Sequence, residues 1–289
     1  MDAPADPRAR WALPPPGAMP RTAQLEPQVT RVLAPNPSWM TLDGTNTYLV
    51  GEPGSGEVVI VDPGPDDARH LEAVEEALRG RDARCVAVVV THHHGDHAEA
   101  AEPWGIRFGA TVAASDRTVA GPHGRLLEPG ERLRLAGVVL DVVPTPGHTA
   151  DHLAFRLPSG AVLVGDHVLG RGTSVVTHPE GDVVAYLESL RRVHALGPSA
   201  LYCGHGPELT EDPTAVLDFY LAHRAWREEQ VLAALADGAG TVDELVAVVY
   251  AAVPQALWPA AAQSTRATLA KLTAEGRVRL RPDGGFVLA

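Results

Sequence analysis

The chain has 289 residues, 45% apolar and 21% charged. That is enough to bury a substantial core in one or two globular domains, and it excludes a collagenous or wholly disordered chain. Its 24 basic and 36 acidic residues leave a net charge of −12, a field that repels nucleic acid and anionic lipid unless basic groups are segregated.

Residues 1–25 are rich in Pro, Ala and charge and lack the roughly 7–15-residue apolar stretch of a signal peptide, so a disordered or loosely attached tail is expected there. Strands are predicted at 47–50 and 57–62, joined by a Gly51-Glu52-Pro53-Gly54 turn, as an opening hairpin. Leu71, Val74 and Leu78 give residues 66–78 helical spacing. The apolar strand 85–90 then runs straight into Thr91-His92-His93-His94-Gly95-Asp96-His97. Short strands follow at 111–113, 132–135, 138–143, 153–156 and 161–165, then an amphipathic helix at 182–196, a strand at 200–203 and His205-Gly206-Pro207. This alternation across residues 26–212 predicts a sandwich of two sheets with helices outside.

The texture changes in residues 213–289. A helical pattern covers 218–236, Thr241 to Glu244 forms a capping box that opens a second helix, and a third covers 265–274. A hairpin of 277–281 and 286–288 around Pro282-Asp283-Gly284-Gly285 completes a winged helix. The longest apolar run, 245–253, is far too short to span a membrane. Two cysteines, Cys85 and Cys203, exclude a disulfide scaffold and a four-cysteine zinc site. They suit a reducing, cytoplasmic setting.

Histidine carries the chemistry. His92 and His94 lie two apart at the end of a strand and leave on the same side. Gly95 permits a sharp turn that brings Asp96 and His97 back. His148, Asp166 and His205 follow turns at the ends of later strands, each beside a glycine. Five imidazoles and two carboxylates are donors enough for two divalent ions, with the two oxygens of Asp166 able to bridge. By their positions, His70, His123, His194 and His223 are expected to be packing or surface residues. His152, His167 and His178, close to the donor-bearing turns, are candidates to support them. His93 is expected to point away from His92 and His94.

The motif His92-His93-His94-Gly95-Asp96-His97, followed by His148, Asp166 and His205, resembles that of the metallo-β-lactamase-fold hydrolases. The resemblance implies a four-layer αββα metallo-β-lactamase sandwich plus a C-terminal winged-helix domain. It implies one metal on His92, His94 and His148, a second on Asp96, His97 and His205, and Asp166 between them. Asp62, in Val61-Asp62-Pro63-Gly64, matches the family's bracing carboxylate. Within the superfamily, residues 29–289 resemble the β-lactamase-like-protein-2 group of metal-dependent endoribonucleases. That likeness is carried by Met40-Thr41-Leu42-Asp43-Gly44-Thr45-Asn46, residues 145–152, Gly165-Asp166-His167-Val168-Leu169-Gly170, and the helical pairs His223-Arg224 and Arg227-Glu228. The chain departs from the group at His93, where many relatives carry a large aromatic.

Two divalent ions sharing a water would give hydroxide at neutral pH and stabilise charge on the reacting group. Histidine with carboxylate suits zinc, while manganese or iron also fits a bridging aspartate. Asp96 is the expected catalytic residue, orienting the water or moving its proton. Asn46 and Thr173, in the Gly172-Thr173-Ser174 loop, are expected substrate contacts. Two substrates fit. Single-stranded RNA is suggested by the resemblance and by Arg266, Lys271, Arg277, Arg279 and Arg281 in the appendage, which is nearly neutral with seven basic against eight acidic residues over 218–289. A small-molecule thioester, lactone or β-lactam is suggested by the acidic body. Neither a membrane nor double-stranded DNA is an expected partner.

Overall fold

A computed structural model describes residues 2–289. Seven strands lie in chain order in one sheet: β1 (Thr22–Glu26), β2 (Val29–Leu33), β3 (Asn46–Val50), β4 (Glu57–Val61), β5 (Arg84–Val89), β6 (Thr111–Ala114) and β7 (Arg125–Leu126). A second sheet holds β8 (Arg132–Leu135), β9 (Val138–Pro144), β10 (Leu153–Arg156), β11 (Val162–Gly165) and β12 (Leu201–Cys203), in the order β12-β11-β10-β9-β8. The pairs β4–β5, β5–β6, β6–β7 and β11–β12 are parallel, and the rest antiparallel.

The central strands are apolar on both faces, and their period of two splits them between two cores. Val59 and Val61 of β4 and Ala87 and Val89 of β5 face the second sheet, meeting Leu153, Phe155 and Leu163. Val58, Ile60 and Val88 face outward, under helices α1 (Ala68–Gly80), α2 (Gly95–Ala98), α3 (Ala101–Phe108) and α4 (Arg117–Ala120), where Val74, Leu78 and Trp104 cover them. Ala154, Val162 and Val164 cover the outer face of the second sheet. They pack on Val183, Tyr186 and Leu190 of α5 (Val183–Ala195) and on Val216, Leu217 and Tyr220 of α6 (Pro213–Ala236). Each buried Val, Leu, Ile or Phe among them contributes about 1.5–3 kcal/mol by leaving water. The result is the expected αββα sandwich.

Helix α6 belongs to two cores. Its 24 residues span about 36 Å. The first half packs on the sandwich, while Val231, Ala234 and Leu235 join Leu245, Leu269, Leu272 and Val278 in a separate core. That second core is built with α7 (Val242–Val249), α8 (Trp258–Ala274) and the hairpin of β13 (Val278–Leu280) and β14 (Phe286–Leu288). The Thr241–Glu244 capping box forms as expected. Two helices start earlier than the apolar spacing suggests. Asp212 caps α6 with Pro213 in its first turn, and the Ala-rich stretch after Trp258 is helical by propensity, without an apolar stripe. No helix among the described residues is long and apolar enough to cross a membrane.

The N-terminal segment departs from the expectation of a loose tail. Thr22–Glu26 is an edge strand paired with β2, so two strands precede the expected opening hairpin. Pro7–Arg10 forms a 3-10 turn capped by Asp6. Arg8 is buried there, bound to Asp6 and donating to the carbonyls of Leu169 and Gly172 at 2.7 Å each. Composition misleads because the segment supplies no core of its own. A single guanidinium satisfies carbonyls of a distant loop instead.

Candidate metal centre

All seven expected donors converge on one edge of the sandwich, where strands of both sheets end. His92 and His94 follow β5, α2 carries Asp96 and His97, His148 lies between β9 and β10, Asp166 follows β11 and His205 follows β12. Donor atoms of His92, His94 and His148 lie within 4.8 Å of one another, and so do those of Asp96, His97 and His205. Asp166 stands between the groups. Its Oδ1 is 3.3 Å from Nε2 of both His97 and His205, and its Oδ2 is 3.8 Å from His148 Nε2.

Outer partners fix which nitrogen faces inward. His97 Nδ1 donates to Asp62 Oδ2 at 2.9 Å, His148 Nδ1 to Val175 O at 2.6 Å and His205 Nδ1 to Gly44 O at 3.2 Å. The Thr91 hydroxyl donates to Asp62 Oδ2 and so accepts from His92 Nδ1 at 3.0 Å. Each of these four rings therefore turns its Nε2 into the centre. The nitrogens of the centre are close. His97 Nε2 is 3.2 Å from His205 Nε2, and His94 Nδ1 is 3.1 Å from His92 Nε2 and 3.0 Å from His148 Nε2. Facing lone pairs repel unless a cation or proton lies between them. Two nitrogens bound to one tetrahedral zinc stand about 3.3 Å apart. The residues therefore fit a divalent metal.

The backbone is shaped to the same end. Asp62 adopts φ 52°, a left-handed conformation unusual for a residue with a side chain. Its carboxylate accepts from Thr91 N at 2.7 Å as well as from the Thr91 hydroxyl and His97. A Cβ on Gly204 would lie 2.5 Å from Asp166 Oδ1 and 2.7 Å from His97 Cε1. Only glycine allows the chain to pass there.

The two groups of histidines differ electrostatically. Burial pushes His94 down to about 4 and holds His92 and His148 below the ordinary histidine range. Burial also opposes charge on His97 and His205. There the carboxylates outweigh it, Asp166 foremost, raising His205 to about 9 and His97 well above its usual value. One group is neutral imidazole, and the other is matched to positive charge.

Further expected residues fall around this centre. Asn46 is corrected: it is fully buried and donates to Cys203 O at 2.9 Å and Gly206 O at 2.8 Å, so it holds the His205 loop and cannot reach a substrate. Thr173 lines a cavity of about 280 Å³ between the sandwich and the winged helix. Leu42, Val175 and Leu257 are also in its wall. His93 turns out of the centre to Asp151 (2.8 Å) and Glu180 (3.4 Å). His152 supports the centre by accepting from Asp166 N at 3.2 Å. His70 and His167 are buried, and His223 lines the cavity.

Sequence reasoning missed Thr91, Val175 and Gly44, which orient the imidazoles. The position of Thr91 directly before His92 was the one available signal. The basic patch also changes meaning. Lys271 and Arg277 are spent on Glu228 and Glu275, and Arg281 pairs with Asp283.

Comparison with known proteins agrees with this geometry. Residues 40–205 match the Metallo-beta-lactamase superfamily and residues 241–285 the Beta-lactamase associated winged helix domain. The chain is 32% identical over 280 residues to the Beta-lactamase-like protein 2 homolog of Drosophila melanogaster, covering 91% of this chain and 93% of that protein. It is 31% identical over 277 residues to the Atrochrysone carboxyl ACP thioesterase of Aspergillus chevalieri, covering 92% and 88%. Its fold matches a metallo-beta-lactamase family protein of Thermus thermophilus, with TM-score 0.77, 26% identity and coverage of 92% and 100%. It also matches a beta-lactamase domain protein of Burkholderia ambifaria, with TM-score 0.80, 22% identity and coverage of 98% and 97%. With its donor-lined edge and its C-terminal winged helix, the chain belongs to the metallo-β-lactamase superfamily of hydrolases.

Proposed function

We propose that the chain is a two-metal hydrolase of acyl compounds, thioesters foremost, working in the cytoplasm. The observation that carries this reading is the cavity beside the centre, whose walls are mostly apolar and close to two of the donor histidines. Val175 lines it and accepts the His148 hydrogen bond. Leu42 lines it too and stands against Gly206, next to His205. An acyl chain seated in the cavity would lie with its carbonyl end toward the metal edge. The similarity to a fungal carrier-protein thioesterase supports the same substrate class.

His92, His94 and His148 would hold one ion and Asp96, His97 and His205 the other, with Asp166 between the two groups. Zinc fits this donor set. When bound, such ions acidify water and polarise the scissile carbonyl. The protein's own groups do the rest. Asp62 and Thr91 lock the tautomers of His97 and His92, so neither ring reorients during turnover. Asp96 uses Oδ2 toward His205 (3.1 Å) and His97 (3.7 Å), leaving Oδ1 to accept a hydrogen bond from the attacking water. With its pKa near 2, Asp96 stays ionised. Burial works against that charge, and His97 and His205 outweigh it.

Single-stranded RNA is the second reading, favoured by the likeness to β-lactamase-like protein 2 and by Arg266 and Arg279, which stay exposed. The pairing of the other basic residues weakens it. A side-by-side assay of zinc-loaded protein on an acyl thioester of N-acetylcysteamine and on a fluorescent single-stranded RNA separates the two, with His94→Ala as the background. Thioester turnover far above that background is expected. Cleavage of RNA alone would replace the acyl reading with the nuclease one.

A further inference from the structure

The cavity between the sandwich and the winged helix has a second chemical character besides its apolar wall. Arg224 and Arg227, three residues apart on α6 and so on one face, both line it. Neither has a carboxylate within ion-pair distance among the described residues. Arg224 donates to Ser174 O and lies over Tyr186, its carbon 4.7 Å from the ring centre. Arg227 donates to Gln230 Oε1 at 2.9 Å and Val249 O at 2.6 Å, and lies 4.3 Å over Tyr250. The Nε of each is buried without a hydrogen-bond partner, and so is Nδ1 of the neighbouring His223. His223 is neutral, because burial and the two guanidiniums push it down to about 3.

A chain with 36 acidic residues could have supplied a carboxylate to either guanidinium. It does so on the other side of the same cavity, where Arg171 is paired with Asp43 at 2.6 Å. The two arginines of α6 are thus positive charges held at an apolar cavity and answered only by carbonyl, amide and ring contacts.

Resting on the acyl-hydrolase reading, we propose that this cavity is the subsite for an acyl chain bearing a terminal carboxylate, which Arg224 and Arg227 bind while the chain lies against Leu42, Val253 and Leu257. The cavity, of about 280 Å³, has room for a chain of several methylenes ending in a carboxylate. Hydrolysis of such a thioester breaks the C–S bond, forms a C–O bond from water and releases a dicarboxylate and a thiol, with no change of oxidation state. Charge-assisted hydrogen bonds to a carboxylate are about twice as strong as neutral ones, so the terminal group decides which acyl chains bind.

Calorimetric titration of the zinc-loaded protein with suberate and with octanoate tests this, because the two differ only in the terminal carboxylate. Suberate is expected to bind at least tenfold more tightly. The Arg224→Gln, Arg227→Gln double variant is expected to bring the two within about twofold of each other. If that variant does not fold, Ala260→Trp, which fills the cavity from α8, serves instead and is expected to weaken suberate tenfold. Equal binding of the two acids by the unaltered protein, or a suberate preference that survives these substitutions, overturns the proposal. The acyl-hydrolase reading fails separately. It falls if neither octanoyl nor suberyl thioester is turned over, even where the binding preference stands.

Discussion

The donor-lined edge of the sandwich and the winged-helix domain use charge in opposite ways. At the edge, Asp62, His92, His97, His148, Asp166 and His205 are all buried, and each is answered by a named partner or by its place beside another donor. In the winged helix the core is apolar, the buried polar residues Ser264 and Thr265 are uncharged, and Lys271, Arg277 and Arg281 pair with acidic neighbours nearer the surface. Buried charge costs several kcal/mol unless it is paired, so a protein retains it where chemistry requires it. Exposed pairs are worth about 0–1 kcal/mol. Reactivity is concentrated at the edge. The winged helix contributes a wall of the cavity.

Substitutions sharpen this contrast, beginning with the largest effect. His94→Ala is expected to lower turnover by at least about a thousandfold, as for loss of a group acting directly on the reaction. With both proteins stripped of metal, its unfolding midpoint in urea is expected to change little, because the ring is partly open to solvent and carries no fixed backbone partner. Asp62→Ala is expected to cost both activity and about 3 kcal/mol or more in urea unfolding, since it strands the Thr91 amide and hydroxyl and the His97 ring in the interior. An Asp62→Ala protein of native stability would place the bracing elsewhere.

Acid separates the regions as well. His70 lies in the sandwich against Trp104 and bonds the Thr47 hydroxyl at 2.8 Å. Burial lowers it to about 4, against 6.5 in the unfolded chain. The unfolded state therefore takes up the proton first as pH falls. The stability His70 contributes is complete above pH 6.5 and drains between about 6.5 and 4, by about 3 kcal/mol at 1.36 kcal/mol per unit. His70→Gln is expected to flatten that part of the stability–pH curve. The smallest effect is expected in the appendage, where Thr241→Ala removes the cap of α7. It should cost about 1 kcal/mol in unfolding and leave acetyl-thioester turnover unchanged.

Much of the edge was legible in the sequence because metal ligation needs few residue types at tight spacing. His92, His94, Asp96 and His97 sit within one turn of chain, and glycines flank the later donors. Asn46 was misjudged because a polar residue in a rim motif looks the same whether it faces solvent or holds a loop. Its partners at 203 and 206 are about 160 residues away. The cavity was hardly legible at all. Its wall is assembled from the segments around Leu42, Thr173, Arg224 and Leu257, and no local pattern joins them. The basic stripe failed differently, because counting charges cannot show that Glu228 reaches both Lys271 and Arg277.

The central claim is that this edge holds two divalent ions. Its most direct test is elemental analysis of the freshly purified chain beside His94→Ala and His97→Ala, each calibrated against protein concentration. Close to two transition-metal ions per chain are expected in the unaltered protein and close to one in each variant. No bound metal in the unaltered protein, or an undiminished content in both variants, would contradict it.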